Sequence, residues 1–310
     1  MSLQMHQNKN NSDEHHIPVL LKETLQYLGP VPGNTYLDVT AGYGGHAEKV
    51  LEATNYATSV LVDRDSSAID VLSQKFDQKS VTIQHQDFLS ASQELAQSGH
   101  SFDLILADLG VSSVHLNSSD RGFAINQVGP LDMRMDRRQS LTAADIINQS
   151  AESELTDIFR RYGEEPHAEK IAQLMVRGRP WGTTSGLAEA IAKSTPHKRG
   201  SARKRVHPAT RVFQALRIVV NDELGQLETA LKLWTGQLLR PGGRLVVISF
   251  HSLEDRVVKQ TFQELGQETY DATLQLLTKH PLTASPEELV FNPRARSAKL
   301  RAAVKIKTKI

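Results

Sequence analysis

The sequence lacks cysteine, has few aromatic residues (5%) and has a formal net charge of only +1 at pH 7. The lack of cysteine excludes disulfide bonds, thiolate metal ligands and a cysteine nucleophile, and it fits a reducing compartment such as the cytoplasm. No apolar run approaches the roughly 20 residues that a membrane-spanning helix needs, so we expect no membrane partner. With so small a net charge, any binding of nucleic acid must depend on local basic patches.

The remaining composition is that of a globular protein. The chain has 310 residues, of which 39% are hydrophobic and 23% charged, enough for one large or two modest domains. Residues 1–15 are polar and rich in Asn, Gln and His, and they lack the apolar core of a signal peptide. We therefore predict that they form a disordered tail.

The most informative stretch runs from Tyr36 to His46. A short apolar run stops at three glycines, Gly42, Gly44 and Gly45, and helix-forming residues follow at once. This order predicts a strand, a tight turn and a helix N-terminus. Such a turn at the carboxyl end of a parallel strand cradles nucleotide-like ligands.

Apolar runs alternate with helical stretches in the first third of the chain. They predict four strands, near residues 35–39, 59–62, 81–85 and 102–108. Strands that are apolar along most of their length and separated by helices are typical of a parallel sheet covered on both faces. We therefore predict an α/β fold with a doubly wound, Rossmann-like sheet.

A long interval separates the fourth predicted strand from the fifth, at 244–250. A crossover between parallel strands needs only a dozen to a few dozen residues, so a segment is inserted. Helical spacing recurs in it at 143–147, 152–162, 168–176 and 187–194. We predict an inserted all-helical domain at 116–212, with 16–115 and 213–310 forming the discontinuous sheet domain. One helix, 213–239, is predicted to return to the sheet, and 297–306 to form a final edge strand.

Acidic residues at the ends of the predicted strands point to the ligand. Gly42, Gly44 and Ala47 match the dinucleotide fingerprint, and Asp63 is placed to accept the ribose hydroxyls of an adenosine. Asp63 alone does not separate NAD from S-adenosylmethionine, and the glycines alone also fit a plain tight turn. Four further features favour S-adenosylmethionine: Asp38 before the turn, Asp87-Phe88 after strand 3, Asp108 at the end of strand 4, and the lead-in 239–243 before strand 5.

Asp108 is the candidate catalytic residue. Methyl transfer needs positioning, and a weakly nucleophilic base amine also needs an acceptor for its protons. The alternative is that Asp108 only binds cofactor. Among the histidines, His46 and His251 lie beside predicted site elements, but no histidine pair shows metal-ligand spacing, so we expect no metal.

Two basic stretches lack acidic residues. The first lies between Glu189 and Asp222 and the second follows Glu288. They are either a surface for phosphates or a solvated loop and tail. The first contains Lys193, Lys198, Arg199, Arg203, Lys204, Arg205, Arg211 and Arg217, and the second contains Arg294, Arg296, Lys299, Arg301, Lys305, Lys307 and Lys309.

From about His16 to Arg301 the chain resembles the bacterial small-subunit ribosomal RNA cytosine-N4 methyltransferases, the MraW/RsmH family. The resemblance rests on long strings: Gly44-Gly45-His46, Asp63-Arg64-Asp65, the run 108–113, Asp120-Arg121-Gly122-Phe123, the run 129–136, Tyr162-Gly163-Glu164-Glu165, the run 207–211, the run 249–256 and the run 292–297. It implies methylation by S-adenosylmethionine of the N4 amine of a cytidine in the decoding region of 16S ribosomal RNA. It also implies that the helical insert recognises this RNA.

The resemblance further implies a cofactor contact set, and the chain departs from the family at one place in it. The implied contacts are Gly44, Gly45, His46, Asp63, Phe88, Asp108 and His115. Relatives commonly carry Pro-Gln where this chain has Val114-His115. A neutral histidine donates and accepts through ring nitrogens on opposite sides of the ring, whereas an amide does both at one end of the side chain. The aromatic that stacks on the target base is also unassigned, with Phe123, Tyr162 and Phe250 as candidates.

Two other classes of function remain open. An NAD-dependent oxidoreductase would need a second nucleotide-binding half, which the helical insert and basic tail do not supply. A non-catalytic RNA-binding protein would bind RNA without transferring a methyl group. The expected protein is a monomer or a homodimer.

Overall fold

The computed structural model describes residues 17–110, 118–194, 207–267 and 270–307. These residues form a mixed α/β structure around a seven-stranded sheet with the strand order β3-β2-β1-β4-β5-β7-β6. The strands are β1 Tyr36–Asp38, β2 Ser59–Asp63, β3 Val81–His85, β4 Phe102–Asp108, β5 Leu239–Ser249, β6 Leu274–Leu276 and β7 Lys299–Lys305. The neighbours among β1 to β5 are parallel, as predicted, and β7 is antiparallel to both β5 and β6.

Twelve α-helices lie within the described residues, none of them long and apolar enough to cross a membrane. They are α1 Leu21–Leu28, α2 Gly45–Ala53, α3 Ser66–Lys75, α4 Phe88–Gln97, α5 Ala143–Gln149, α6 Glu152–Gly163, α7 Ala168–Arg177, α8 Thr184–Ser194, α9 Thr210–Asn221, α10 Glu223–Leu233, α11 Ser252–Leu265 and α12 Pro286–Phe291.

Strands β1, β2 and β4 in the middle of the sheet are buried on both faces, which explains why they are apolar along most of their length. Successive residues of a strand point to opposite faces. Leu37 packs in the apolar cluster that contains α4, α10 and α11, whereas its neighbour Tyr36 packs with α1, α2 and α3. Leu245 and Val246 in β5 divide between the two clusters in the same way.

A third apolar cluster involves none of the strands. It is formed by the loop residues Phe123, Leu131, Met133 and Met135 and by helices α5 to α9. These elements lie between β4 and β5 in the chain, where the helical segments were predicted. We call this cluster and its helices the helical lobe.

The single helix predicted for 213–239 is wrong. Helix α9 ends at Asn221, Asp222 has a left-handed backbone with φ of 46°, and α10 then begins at Glu223. A π-helical turn, Trp234–Leu238, leads into β5, which already begins at Leu239. The break occurs because the apolar face of α9 packs in the helical lobe, whereas that of α10 packs against the sheet, so the chain must turn between them.

The C-terminal strand is present but is not the edge strand that was predicted. β7 lies between β5 and the three-residue strand β6. Its central residues Leu300, Ala302 and Ala303 are fully buried, as is typical of an interior strand. The pattern of β6 is too short to be detected from the sequence.

Candidate cofactor and active site

A cavity of about 600 Å³ opens at the carboxyl ends of the parallel strands. Its walls come from the turn after β1, the ends of β2 and β4, the residues before α4, and the helical lobe. The segment 292–297 and residues Phe250 and His251 complete the lining. The cavity therefore lies where β1 and β4 diverge in chain order, the place at which open α/β sheets bind ligands.

The glycine turn forms one side of this cavity. Gly42 and Gly44 have φ of 52° and 76°, conformations that favour glycine. A Cβ on Gly44 would lie 2.7 Å from Phe76 Cε2, and one on Gly45 would lie 2.6 Å from Pro18 Cγ. Gly42 and Gly45 line the cavity, whereas Gly44 does not. The close packing of Phe76 against Gly44 and of Pro18 against Gly45 therefore leaves no room for a side chain at either position.

Asp63, at the end of β2, is bound to the glycine turn. Its Oδ2 accepts a hydrogen bond from the Gly42 amide and its Oδ1 accepts one from the Asp65 amide, both at 2.8 Å. Burial raises the pKa of Asp63, although these two hydrogen bonds oppose the shift. Each carboxylate oxygen retains an acceptor site, so Asp63 can bind a pair of vicinal hydroxyls.

His46 and Asp108 face each other across the cavity wall. His46 Nε2 lies 2.9 Å from the Val19 carbonyl oxygen, and its Nδ1 lies 3.5 Å from Asp108 Oδ2. A carbonyl only accepts, so Nε2 carries a proton and donates it. Nδ1 then faces the carboxyl group of Asp108.

Asp108 holds the least compensated carboxyl group of the cavity. Its Oδ1 is shielded from solvent and has no hydrogen-bond partner in the described parts of the chain. Burial, followed by the negative charges of Asp38 and Glu254, raises the pKa of Asp108 well above its ordinary value. The amide of the same residue donates to Thr40 Oγ1 at 2.6 Å, which holds the end of β4 against the turn after β1.

Phe88 presents a ring to the cavity from the start of α4. The ring packs edge-on against Trp234, with centroids 5.8 Å apart, and the Arg64 guanidinium carbon lies 6.0 Å from its centroid. The neighbouring Asp87, which counted among the sequence features that favour S-adenosylmethionine, caps α4 by accepting from the Leu89 and Ser90 amides. The polar group that lines the cavity here is Gln86.

Asp38 lies beneath the turn and is not among the residues that line the cavity. It accepts a hydrogen bond of 2.7 Å from the Tyr36 hydroxyl and one of 3.2 Å from the Thr40 amide. Burial raises its pKa to about 7, although both hydrogen bonds act in the opposite direction.

Comparison with known proteins assigns the family. A sequence model described as the MraW methylase family matches residues 13–306. The chain belongs to this family. It is 50% identical over 291 residues to the Ribosomal RNA small subunit methyltransferase H of Nostoc punctiforme. This match covers 94% of each of the two chains. It is 45% identical over 301 residues to the protein of the same name from Acidobacterium capsulatum, covering 94% of this chain and 99% of that one.

The family predicted from the sequence is thus confirmed, and with it a methyltransferase that depends on S-adenosylmethionine. The structure of this MraW methylase brings five of the predicted contact residues to one cavity: Gly45, His46, Asp63, Phe88 and Asp108. Gly44 lies behind the wall, and His115 is outside the described residues. Of the candidate stacking aromatics, Phe123 and Phe250 line the cavity and Tyr162 does not.

One wall of the cavity in this MraW methylase was missed from the sequence. Helix α9 contributes Thr210, Phe213, Gln214 and Arg217, which follow the i, i+3, i+4, i+7 spacing of a single helix face. The signal was present, because Thr210, Gln214 and Arg217 place polar groups on one face of a largely apolar helix. It was hidden by assigning residues 213–239 to one helix that covers the sheet.

A buried polar cluster lies behind this wall. Arg217 donates to both carboxylate oxygens of Glu223, at 2.8 and 2.7 Å, and His251 Nε2 lies 3.2 Å from Glu254 Oε1. Glu223, His251 and Glu254 are close enough together to ligate a cation. The Arg217 guanidinium, however, already occupies both oxygens of Glu223 and supplies the positive charge.

Proposed function

We propose that this MraW methylase transfers a methyl group from S-adenosylmethionine to the N4 amine of a cytidine in the decoding region of 16S ribosomal RNA. The observation that carries the proposal is Asp108, which brings a buried carboxylate oxygen without a partner to the cavity wall. A base amine that enters there can donate a hydrogen bond to this oxygen. The names of the relatives, which are small-subunit ribosomal RNA methyltransferases, support the choice of RNA.

The cavity suits the proposed cofactor in size and in the order of its groups. A volume of about 600 Å³ is within the range of small-molecule sites. Asp63 would accept the ribose hydroxyls, Phe88 would pack against the adenine ring, and Gln86 would supply a polar edge. Gly45 and His46 would contact the amino-acid end. When bound, the sulfonium supplies an electrophilic methyl group.

Asp108 would act on the nucleophile. The lone pair of an exocyclic amine is delocalised into the base, so an acceptor for one N–H sharpens and aims it. Once the nitrogen–carbon bond forms and the carbon–sulfur bond breaks, the amine has one proton too many. The Asp108 carboxylate accepts that proton, and its raised pKa suits this role.

We further propose that the helical lobe is an inserted domain for RNA recognition, and that its boundary lies at Asp222. The target base must leave its stack to reach Asp108, at a cost of a few kcal/mol. Phosphate contacts would offset this cost. Arg211 on α9 and Arg296 on the segment 292–297 are exposed beside the cavity. Lys198, Arg199, Arg203, Lys204 and Arg205 of the basic stretch lie outside the described residues.

Mass spectrometry of small-subunit RNA from cells lacking this protein tests the proposal. We expect one cytidine of the decoding region to lose an N4 methyl group, and wild-type protein to restore it. Asp108→Asn should not restore it, whereas Asp103→Asn, the same change at the other end of β4, should. An unchanged methylation pattern in the deleted cells, or methylation elsewhere than on a cytidine amine, would contradict the proposal. Calorimetric titration with S-adenosylmethionine shows whether each variant keeps its cofactor site.

A further inference from the structure

Helix α9 presents a charged group to the active-site cavity. Thr210, Phe213, Gln214 and Arg217 lie on one face of this helix and line the cavity. Gln214 is oriented by a hydrogen bond of 3.1 Å from its Nε2 to the Tyr162 carbonyl oxygen. Arg217, one turn further along, is the only arginine that α9 brings to this wall.

The orientation of Arg217 is fixed by a buried partner. Its Nε and Nη2 donate to the two oxygens of Glu223, whose side chain is only 6% exposed. Burial lowers the pKa of Arg217, but the charges of Glu223 and Glu254 outweigh it and leave the pKa raised. The guanidinium is therefore permanently charged and held in one plane. Nη1 has no hydrogen-bond partner among the described residues, so its two N–H groups remain for a ligand.

Arg217 and Asp108 offer opposite hydrogen-bonding groups to the same cavity. Both residues line this cavity. Asp108 provides an acceptor and Arg217 provides a donor. Cytosine carries the complement along one edge, because its N4 amine donates while the adjacent N3 and O2 accept.

The other walls fit the flat faces of a base. Phe213 and Phe250 line the cavity with Met133 and Met135. The methionine loop is fixed to α9, because the Asn221 side chain donates to the Met133 carbonyl at 2.9 Å and accepts from the Met135 amide at 2.8 Å. One helix thus positions both an apolar wall and the charged group at its edge.

We propose that Arg217, held by Glu223, is the residue that reads the target base, with Nη1 donating to N3 and O2 of cytosine. The inference rests on the proposed function and deepens it. Uracil is rejected twice, because its N3–H would face the guanidinium and its O4 would face the Asp108 carboxylate. Both mismatches leave a buried polar group unpaired, which is a strong basis for discrimination.

A cycle of two changes, one in the protein and one in the RNA, tests this contact. The RNA change replaces the target cytidine by 3-deazacytidine, in which C–H stands where cytosine has N3, in small subunits reconstituted from ligated RNA. The protein change is the double variant Arg217→Gln/Glu223→Gln, which avoids leaving Glu223 buried without its partner. Arg217→Lys is the second variant, because it keeps the charge but not the planar fork. Transfer of a labelled methyl group is measured for every combination.

We expect wild-type protein to lose about 10- to 100-fold in kcat/KM on the 3-deazacytidine substrate, as for a lost hydrogen bond to a charged group. The double variant should be slow on cytidine but nearly indifferent to the 3-deaza change, because the contact is already absent. If Arg217 had only a structural role, the variant would instead be slowed by the same factor on both RNAs. The 3-deazacytidine substrate would then still lose the full amount, about 10- to 100-fold in kcat/KM, relative to cytidine. That independent result would overturn the inference.

Controls separate this failure from others. Arg240→Gln breaks an arginine–carboxylate pair with Asp103 at the opposite edge of the sheet and should leave both rates unchanged. Calorimetric binding of S-adenosylmethionine shows that each variant is folded with an intact cofactor site. If wild-type protein failed to methylate even the unmodified cytidine, the proposed function would be wrong. If it methylated cytidine without any coupling in the cycle, only the role of Arg217 would be wrong.

Discussion

At the scale of single residues, negative charge is concentrated around the glycine turn. Asp38, Asp63 and Asp108 end three neighbouring strands, β1, β2 and β4, and burial raises the pKa of all three. Within the described residues no lysine or arginine forms an ion pair with any of them, although His46 lies beside Asp108. Such a group of carboxylates favours a ligand that carries positive charge, as a sulfonium and an amino group do.

The buried Asp38 should make stability depend on pH. Its folded pKa of about 7 lies above the ordinary value of 3.8. The folded state therefore binds more protons than the unfolded state between these values, and the free energy of unfolding falls as pH rises through that window. Asp38→Asn removes this loss. Its stability relative to wild type should increase from pH 4 to pH 8, by at most about 4 kcal/mol.

Urea denaturation without cofactor, repeated across that pH range, measures the difference. The matched control is Asp70→Asn, the same chemical change at an exposed position of α3. A stability difference between Asp38→Asn and wild type that stays constant with pH would show that Asp38 is not protonated in the folded protein.

Glu254 should tune the pH dependence of catalysis. Its charge is one of the causes that raise the pKa of Asp108, after burial and Asp38. Glu254→Gln removes this charge and keeps an oxygen to accept from the Phe250 amide. Asp108 should then ionise at lower pH, so the acidic limb of the kcat profile should move to lower pH.

The profile is measured with saturating cofactor and small subunits. Glu228→Gln, an exposed position on α10, provides the control for removing one negative charge. An acidic limb that does not move in Glu254→Gln would mean that a group other than Asp108 controls it.

At the scale of helices and strands, the approach of α6 to α9 determines where the cavity wall lies. Gly163 ends α6, and a Cβ there would lie 2.7 Å from the Arg211 carbonyl oxygen and 3.2 Å from its carbonyl carbon. Both atoms belong to the backbone of α9, so they cannot move aside as a flexible side chain would. Glycine at 163 therefore allows the close helix pair on which Phe213, Gln214 and Arg217 depend.

Gly163→Ala should separate these helices. We expect it to destabilise the protein by about 1–3 kcal/mol, as overpacking does, and to raise KM for the RNA more than KM for the cofactor. Urea denaturation and steady-state kinetics measure the two effects. Gly182→Ala is the control, because a Cβ at that position meets nothing within 4 Å and should change little. Equal behaviour of the two variants would show that α6 and α9 tolerate a wider separation.

The elements that were predicted correctly are those whose pattern is local. β1, β2 and β4 follow from apolar runs, because strands buried on both faces need apolar side chains on both. The acidic residues that end β2 and β4, Asp63 and Asp108, follow from the same pattern, because parallel strands bring their carboxyl ends to one edge. The break at Asp222 was not predictable in this way. The helical spacing continues across it, and only the tertiary packing of α9 and α10 on different clusters separates them.

At the scale of the whole molecule, the sheet and the helical lobe are joined around the cavity by polar contacts. Arg217 on α9 pairs with Glu223 on α10, and Glu164 after α6 accepts from Ser252 and Arg256 on α11 at 2.7 Å. The first of these contacts is buried and the second is exposed. Surface pairs of the second kind contribute little to stability, whereas removing one partner of the buried pair would leave an uncompensated buried charge.

The exposed arginines on either side of the cavity should determine how RNA affinity depends on salt. Arg211 belongs to the helical lobe and Arg296 to the segment that follows α12. Each phosphate contact releases counterions, so Arg211→Gln and Arg296→Gln should each reduce the slope of log K against log salt by about 1. In the double variant this slope should fall by about 2 if the RNA contacts both parts of the molecule. Fluorescence titration of small-subunit RNA across a salt series measures these slopes, with Lys259→Gln on α11 as the charge-matched control. If only one of the two variants has a reduced slope, the RNA contacts only that side of the cavity. If both slopes are unchanged, the RNA does not contact the surface beside the cavity.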